Sequence, residues 1–130
     1  MRRRLFFTLL LAGAWACAIQ PPSEVAGETE LVRDWVRAYE EELPGDSVQV
    51  FRPDGSVTLP PSRFRMAYKF APGGTCEWFF LAPDDNHRFK PGTWAIEPGA
   101  ELLLRISAEG ATTTFRIVEL STSVLRLVPR

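Results

Sequence analysis

The only histidine, His87, stands behind two acids and an amide in Asp84-Asp85-Asn86-His87, a grouping that could hold a cation or move a proton. A calcium site needs more oxygen ligands than these side chains supply, and zinc needs nitrogen or sulfur donors that have no candidates here. Lying between Phe80 and Phe89, the cluster reads as a solvated hairpin loop. One histidine and no nucleophile-elbow motif leave no Ser-His-Asp arrangement to assemble. Glu40-Glu41-Glu42 reads as a charged face rather than a catalytic pair of carboxylates. Cys76 shares a strand face with Trp78 and Phe80, the position of a small buried hydrophobe. The expectation is a non-enzymatic protein with no cofactor and no metal site.

The N-terminus carries an address. Arg2, Arg3 and Arg4 precede an apolar run from Leu5 to Ala14 and then small residues around Ala16, Cys17 and Ala18, the order of a secretory signal over residues 1–18. The run is about half of the roughly 20 apolar residues that a spanning helix needs. Ala16 before Cys17 suits lipidation of Cys17 as the first residue of a bacterial lipoprotein, while Ala14 and Trp15 depart from the usual lipobox. Ala14-Trp15-Ala16 and Ala16-Cys17-Ala18 also fit ordinary cleavage. Residues 19–29, with Pro21, Pro22, Ser23 and Gly27, read as a flexible tether. The expected location is the cell envelope, lipid-anchored in the periplasm or at the outer membrane, with secretion as the alternative. The formal charge of -1 becomes more negative once the three leader arginines are removed, which gives no pull toward nucleic acid.

Residues 30–130 must supply the fold. With 130 residues, 45% hydrophobic and 24% charged, and with nine glycines and eleven prolines, the chain reads as one turn-rich all-β domain. Leu31, Val32, Trp35, Val36 and Tyr39 recur at helical spacing, ahead of acids that suit a helix end badly, so a short helical turn running into a strand is expected. Alternation then places a strand at Val48–Arg52, a short return at Val57–Leu59 and a corner at Pro60-Pro61. Phe64, Met66, Tyr68 and Phe70 alternate with Arg63, Arg65, Ala67 and Lys69, and Cys76, Trp78 and Phe80 alternate with Glu77, Phe79 and Leu81. Further strands follow at Thr93–Glu97, Leu102–Ser107, Thr112–Leu120 and Val124–Val128. Seven or eight strands with short links predict an antiparallel up-and-down meander, and closure into a small barrel would remove exposed edges.

The order of these elements resembles the lipocalin-like domain of small exported bacterial lipoproteins. The resemblance rests on Leu31 and Trp35, Phe51 with Asp54-Gly55, Gly92 with Trp94, Leu102 and Leu104, then Ile117, Leu120, Leu125 and Leu127. It departs from classical lipocalins in lacking the glycine that usually precedes the opening tryptophan, where this chain has Asp34. The resemblance implies a small barrel with a cavity for an apolar molecule. The first functional expectation is accordingly a small apolar or amphipathic ligand held among Trp35, Met66, Tyr68, Trp78 and Trp94. The second is an envelope interaction module with a filled core that meets a protein partner through its surface. The basic stripe Arg63, Arg65 and Lys69 would then be a solvated face or a contact for anionic headgroups.

Overall fold

The computed structural model of the protein describes residues 26–130 apart from Ala82 and Asp85. The expected leader over residues 1–18, with Cys17, and most of the expected tether lie outside the described residues. A one-turn helix, α1 (Glu28–Leu31), leads into β1 (Asp34–Arg37) and a 3-10 turn over Tyr39–Glu41. There follow β2 (Gln49–Pro53), β3 (Ala67–Phe70), β4 (Thr75–Phe80), β5 (Arg88–Glu97), β6 (Leu103–Ala108), β7 (Ala111–Leu120) and β8 (Leu125–Pro129). The strands pair antiparallel and close into an eight-stranded barrel in the order β1-β2-β8-β7-β6-β5-β4-β3. The helical spacing at Leu31 to Tyr39 thus divides into a helical turn, a short strand and a second turn. Leu31 and Trp35 are both completely buried.

From β3 to β8 each strand lies beside its successor. β1, however, sits between β2 and β3, pairing Trp35 with Pro53 on one side and with Tyr68 on the other. β2 and β3, each antiparallel to β1, therefore run in the same direction on either side of it, and the chain over residues 54–66 crosses β1 to join them, because a tight hairpin can link only adjacent antiparallel strands. This crossing is why the expected return strand at Val57–Leu59 does not form. Leu59 packs instead against Ala38, Val50 and Val124 in a small cluster separate from the main core. The crossing also delays the start of β3, which begins at Ala67 rather than at Arg63 or Phe64. Met66, Tyr68 and Phe70 join the main core as alternation predicts. Phe64, still in the crossing segment, stacks on Phe79 with ring centroids 5.5 Å apart.

Three consecutive glutamates pair with β1, with β2 and with this crossing segment. Glu42 receives Arg37 of β1 through Nε at 2.9 Å and Nη2 at 2.8 Å. Glu41 receives Arg52 of β2 through Nε at 2.8 Å, and Arg52 Nη1 also donates to the Ser123 carbonyl at 3.0 Å. Glu40 receives Arg65 of the crossing segment through Nη1 at 3.0 Å and Nη2 at 2.8 Å. Arg65 further donates to the carbonyls of Arg37 and Pro60, both at 2.7 Å. The Arg37 and Arg65 guanidiniums lie 4.7 and 5.7 Å from the Tyr39 ring centroid. A run that reads as a charged face is thus three forks on three separate pieces of chain, the geometry in which arginine binds carboxylate best.

The interior holds Trp35, Phe51, Tyr68, Phe70, Cys76, Trp94, Ile96, Leu104, Ile106, Phe115, Leu125 and Leu127. Full burial of each large apolar side chain contributes about 1.5–3 kcal/mol. Gly92 stands opposite Cys76 in the β4–β5 register. A Cβ there would lie 2.6 Å from the Ser107 carbonyl oxygen and 3.4 Å from Cys76 Sγ, so a side chain would force β5 away from β6. α1 seats across one end of the barrel, which we call the base, with Leu31 in the core and partly buried Leu102 and Leu120 nearby.

The forks make stability acid-sensitive in a defined direction. Hydrogen bonds from Arg65 hold the Glu40 carboxyl below its ordinary value of 4.5, and those from Arg52 do the same for Glu41. A depressed carboxyl contributes stability that is present above its unfolded pKa and is lost as pH falls through the folded one. The melting temperature should therefore fall as pH drops below 4.5, and a Glu40→Gln/Glu41→Gln double variant should show a shallower acid limb. An unchanged limb in thermal melts from pH 7 to pH 2.5 would remove the forks from this account.

Candidate functional site

The five residues expected to line a ligand cavity divide between two environments. Trp35, Tyr68 and Trp94 are buried in the centre of the barrel. There a chain of rings crosses the interior: Phe51 to Tyr68 at 5.6 Å between centroids, Tyr68 to Phe70 at 5.5 Å and Phe70 to Trp94 at 5.8 Å. Both indole N–H groups are satisfied by the protein itself, Trp35 Nε1 donating to the Leu31 carbonyl at 2.9 Å and Trp94 Nε1 to the Ala71 carbonyl at 3.0 Å. The Trp35 bond ties α1 to β1, and the Trp94 bond ties β5 to the β3–β4 turn. An edge of Trp94 lines a pocket of about 280 Å³ at the base, together with Glu28, Thr29, Val32, Pro72 and Gly73.

Met66 and Trp78 are only partly buried and pack on the core from the end opposite α1. Trp78 pairs in register with Lys90, and Phe80 with Arg88. Lys90 Nζ lies 3.8 Å from the Phe80 ring centroid and donates to Glu109 Oε2 at 2.7 Å, while Arg88 stands 5.4 Å from the same ring. Trp78 Nε1 is buried and has no acceptor. A buried donor without a partner costs about 1–3 kcal/mol, so this group is the least satisfied polar atom among the five candidates.

The acid–base chemistry of the interior is quiet. Burial pushes the Tyr68 hydroxyl up to about 12, although Arg37 opposes that rise. Burial likewise raises the Cys76 thiol above its ordinary value, with Glu77 adding to the effect. Both keep their protons at neutral pH, and a protonated thiol is a poor nucleophile. In the 84–87 loop, Asp84 Oδ1 accepts the Asn86 backbone N–H at 3.1 Å, the self-closing turn that these residue types favour. Among the described residues, no three His, Cys, Asp or Glu side chains converge as a metal site would require.

His87 instead belongs to a ring cluster that the sequence reading did not assemble. Phe79 stacks on Phe64, and His87 meets both rings edge-on at 5.3 and 5.9 Å. Phe89 lies 5.1 Å from Phe79, its own face covered by Lys69 Nζ at 4.2 Å. Beside them Arg63, Phe64, Leu81 and His87 line a pocket of about 550 Å³. The available signal was the outward aromatic at Phe79, which alternation separates from Cys76, Trp78 and Phe80. Assigning Phe64 to the interior face hid its partner.

The satisfied and unsatisfied indoles predict different responses to the same truncation. Trp94→Phe should destabilise the domain by about 1 kcal/mol more than Trp78→Phe, the net worth of one ordinary hydrogen bond. Urea unfolding of both variants measures this, and an equal or reversed order would show that the Ala71 bond contributes nothing.

Compared with the models of known families, with curated proteins and with solved structures, the chain matches none, so its fold and site rest on its own residues.

Proposed function

We propose that the protein is an exported, non-enzymatic binding module, held at the cell envelope through a lipid on Cys17, whose barrel is a filled scaffold and whose contacts are made by its outer surface with an envelope partner. The observation that carries this reading is the unbroken ring contact from Phe51 through Tyr68 and Phe70 to Trp94, which occupies the space a ligand would take. Completion of the Trp35 and Trp94 indole bonds by backbone carbonyls supports it, because neither needs a ligand atom. Export and anchoring are supported by Arg2 to Arg4, the apolar run to Ala14 and the placement of Cys17 before a polar, proline-bearing stretch.

A second reading, in keeping with the lipocalin-like resemblance, has a small apolar or amphipathic ligand seated on Met66 and Trp78 at the end away from α1. The observation favouring it is the unpartnered Trp78 Nε1, which an acceptor on such a ligand would satisfy.

Native mass spectrometry of the protein from its own host, compared with the same sample denatured, separates the two. The filled scaffold predicts no released mass that depends on Trp78 once any lipid on Cys17 is accounted for, whereas a mass lost on denaturation and abolished by Trp78→Phe would favour the second reading. For the anchor, Cys17→Ser should move the protein out of the membrane fraction, and retention there would refute lipidation at that residue.

A further inference from the structure

We infer that the pocket between the crossing segment and the end of the β4–β5 hairpin, lined by Arg63, Phe64, Leu81 and His87, is a binding site for a small molecule that joins an apolar body to a single carboxylate. The pocket is outside the ring chain of the barrel, so the inference is independent of how the interior is used.

Its construction pairs two chemistries. One wall is apolar: Phe64 and Phe79 stacked at 5.5 Å, with Leu81 beside them 58% exposed and Phe89 37% exposed. Large apolar side chains this open to water and gathered at one place mark a contact surface more often than scattered ones do. The other wall is cationic. Arg37, Arg52 and Arg65 are each forked to a glutamate, but Arg63, on the same crossing segment as Arg65, has no ion pair or hydrogen bond among the described residues. An unengaged guanidinium presents a planar fork of donors that matches a carboxylate. Among the described residues of the loop, Asp84 is turned back on the Asn86 N–H.

His87 fixes the pocket and reports on it. Its ring packs edge-on against Phe64 and Phe79, its Nδ1 is buried without a partner, and the residue lines the pocket. One guanidinium beside one imidazole suits a single negative charge rather than a phosphate dianion. A volume of about 550 Å³ is within the range of small-molecule sites, which run to roughly 300–1,000 Å³.

The test uses the protein purified without a histidine tag, so that His87 gives the only imidazole signals. The probes are sodium 3-phenylpropanoate and its uncharged analogue 3-phenylpropan-1-ol, each titrated at pH 7 and followed by NMR at the His87 ring protons and the Trp78 indole N–H. The acid should shift the His87 signals saturably and leave the Trp78 signal in place, and the alcohol should bind roughly tenfold more weakly, the order of one charge-assisted hydrogen bond. Arg63→Gln, at an exposed position that does not endanger the fold, should erase the difference between acid and alcohol. Leu81→Ser should weaken both probes. Absence of a saturable shift at His87, equal affinity for acid and alcohol in the parent protein, or movement of Trp78 in place of His87 would each overturn the inference, the last by placing the ligand in the barrel.

Discussion

A strand of four residues cannot hold a place in a barrel by its own ladder, and the burial of Trp35 is what makes β1 a member of this one. The indole is fully enclosed, its N–H closes on the Leu31 carbonyl, and its backbone is registered against Pro53 and Tyr68 at once. That single residue therefore joins α1, β2 and β3, the first through its indole and the other two through its backbone. Arg33 adds to the closure, its guanidinium 5.6 Å from the Trp35 ring while Nη1 donates to the Thr122 carbonyl at 2.6 Å. With β1 fixed between β2 and β3, the chain has to cross it, and the crossing brings Arg65 to Glu40 and Phe64 to Phe79. The surface features follow from the strand order inside.

The same constraint bears on what the barrel can do. An eight-stranded barrel has an interior just wide enough for side chains or for one small ligand. Here two tryptophans, a tyrosine and two phenylalanines meet near its centre, and the polar atoms of both tryptophans are answered by backbone carbonyls. The buried Tyr68 hydroxyl and Cys76 thiol stay protonated at neutral pH. Unengaged groups are found at the periphery: Arg63, the exposed edges of Leu81 and Phe89, and the Trp78 indole at the end away from α1.

Much of this was legible in the residues because alternation is a local property. β4 and β6 through β8 fall within a few residues of where period-two patterning places them, whereas β5 starts at Arg88, five residues before the expected Thr93, because Pro91 and Gly92 read as a break but sit inside the strand; the mixed spacing of Leu31 to Tyr39 signals a helical turn followed by a strand. The order of β1 and β2 was not legible, since a short apolar triplet at Val57–Leu59 looks the same whether it returns along a hairpin or passes over a neighbour. Phe64 was misassigned for the same reason: the alternation through Phe70 is continuous in sequence, but the strand starts only at Ala67. The glutamate run shows a third limit, because three identical residues in a row do not reveal that their partners come from three different segments.

The filled interior is the central claim, and the volume change on pressure unfolding tests it most directly. Unfolding volumes of roughly -20 to -100 mL/mol scale with the internal void that unfolding eliminates. This barrel, with rings in contact across its centre, should unfold under pressure with a volume change at the small end of that range. A value near the large end would reveal an empty chamber among Trp35, Tyr68 and Trp94 and would contradict the account.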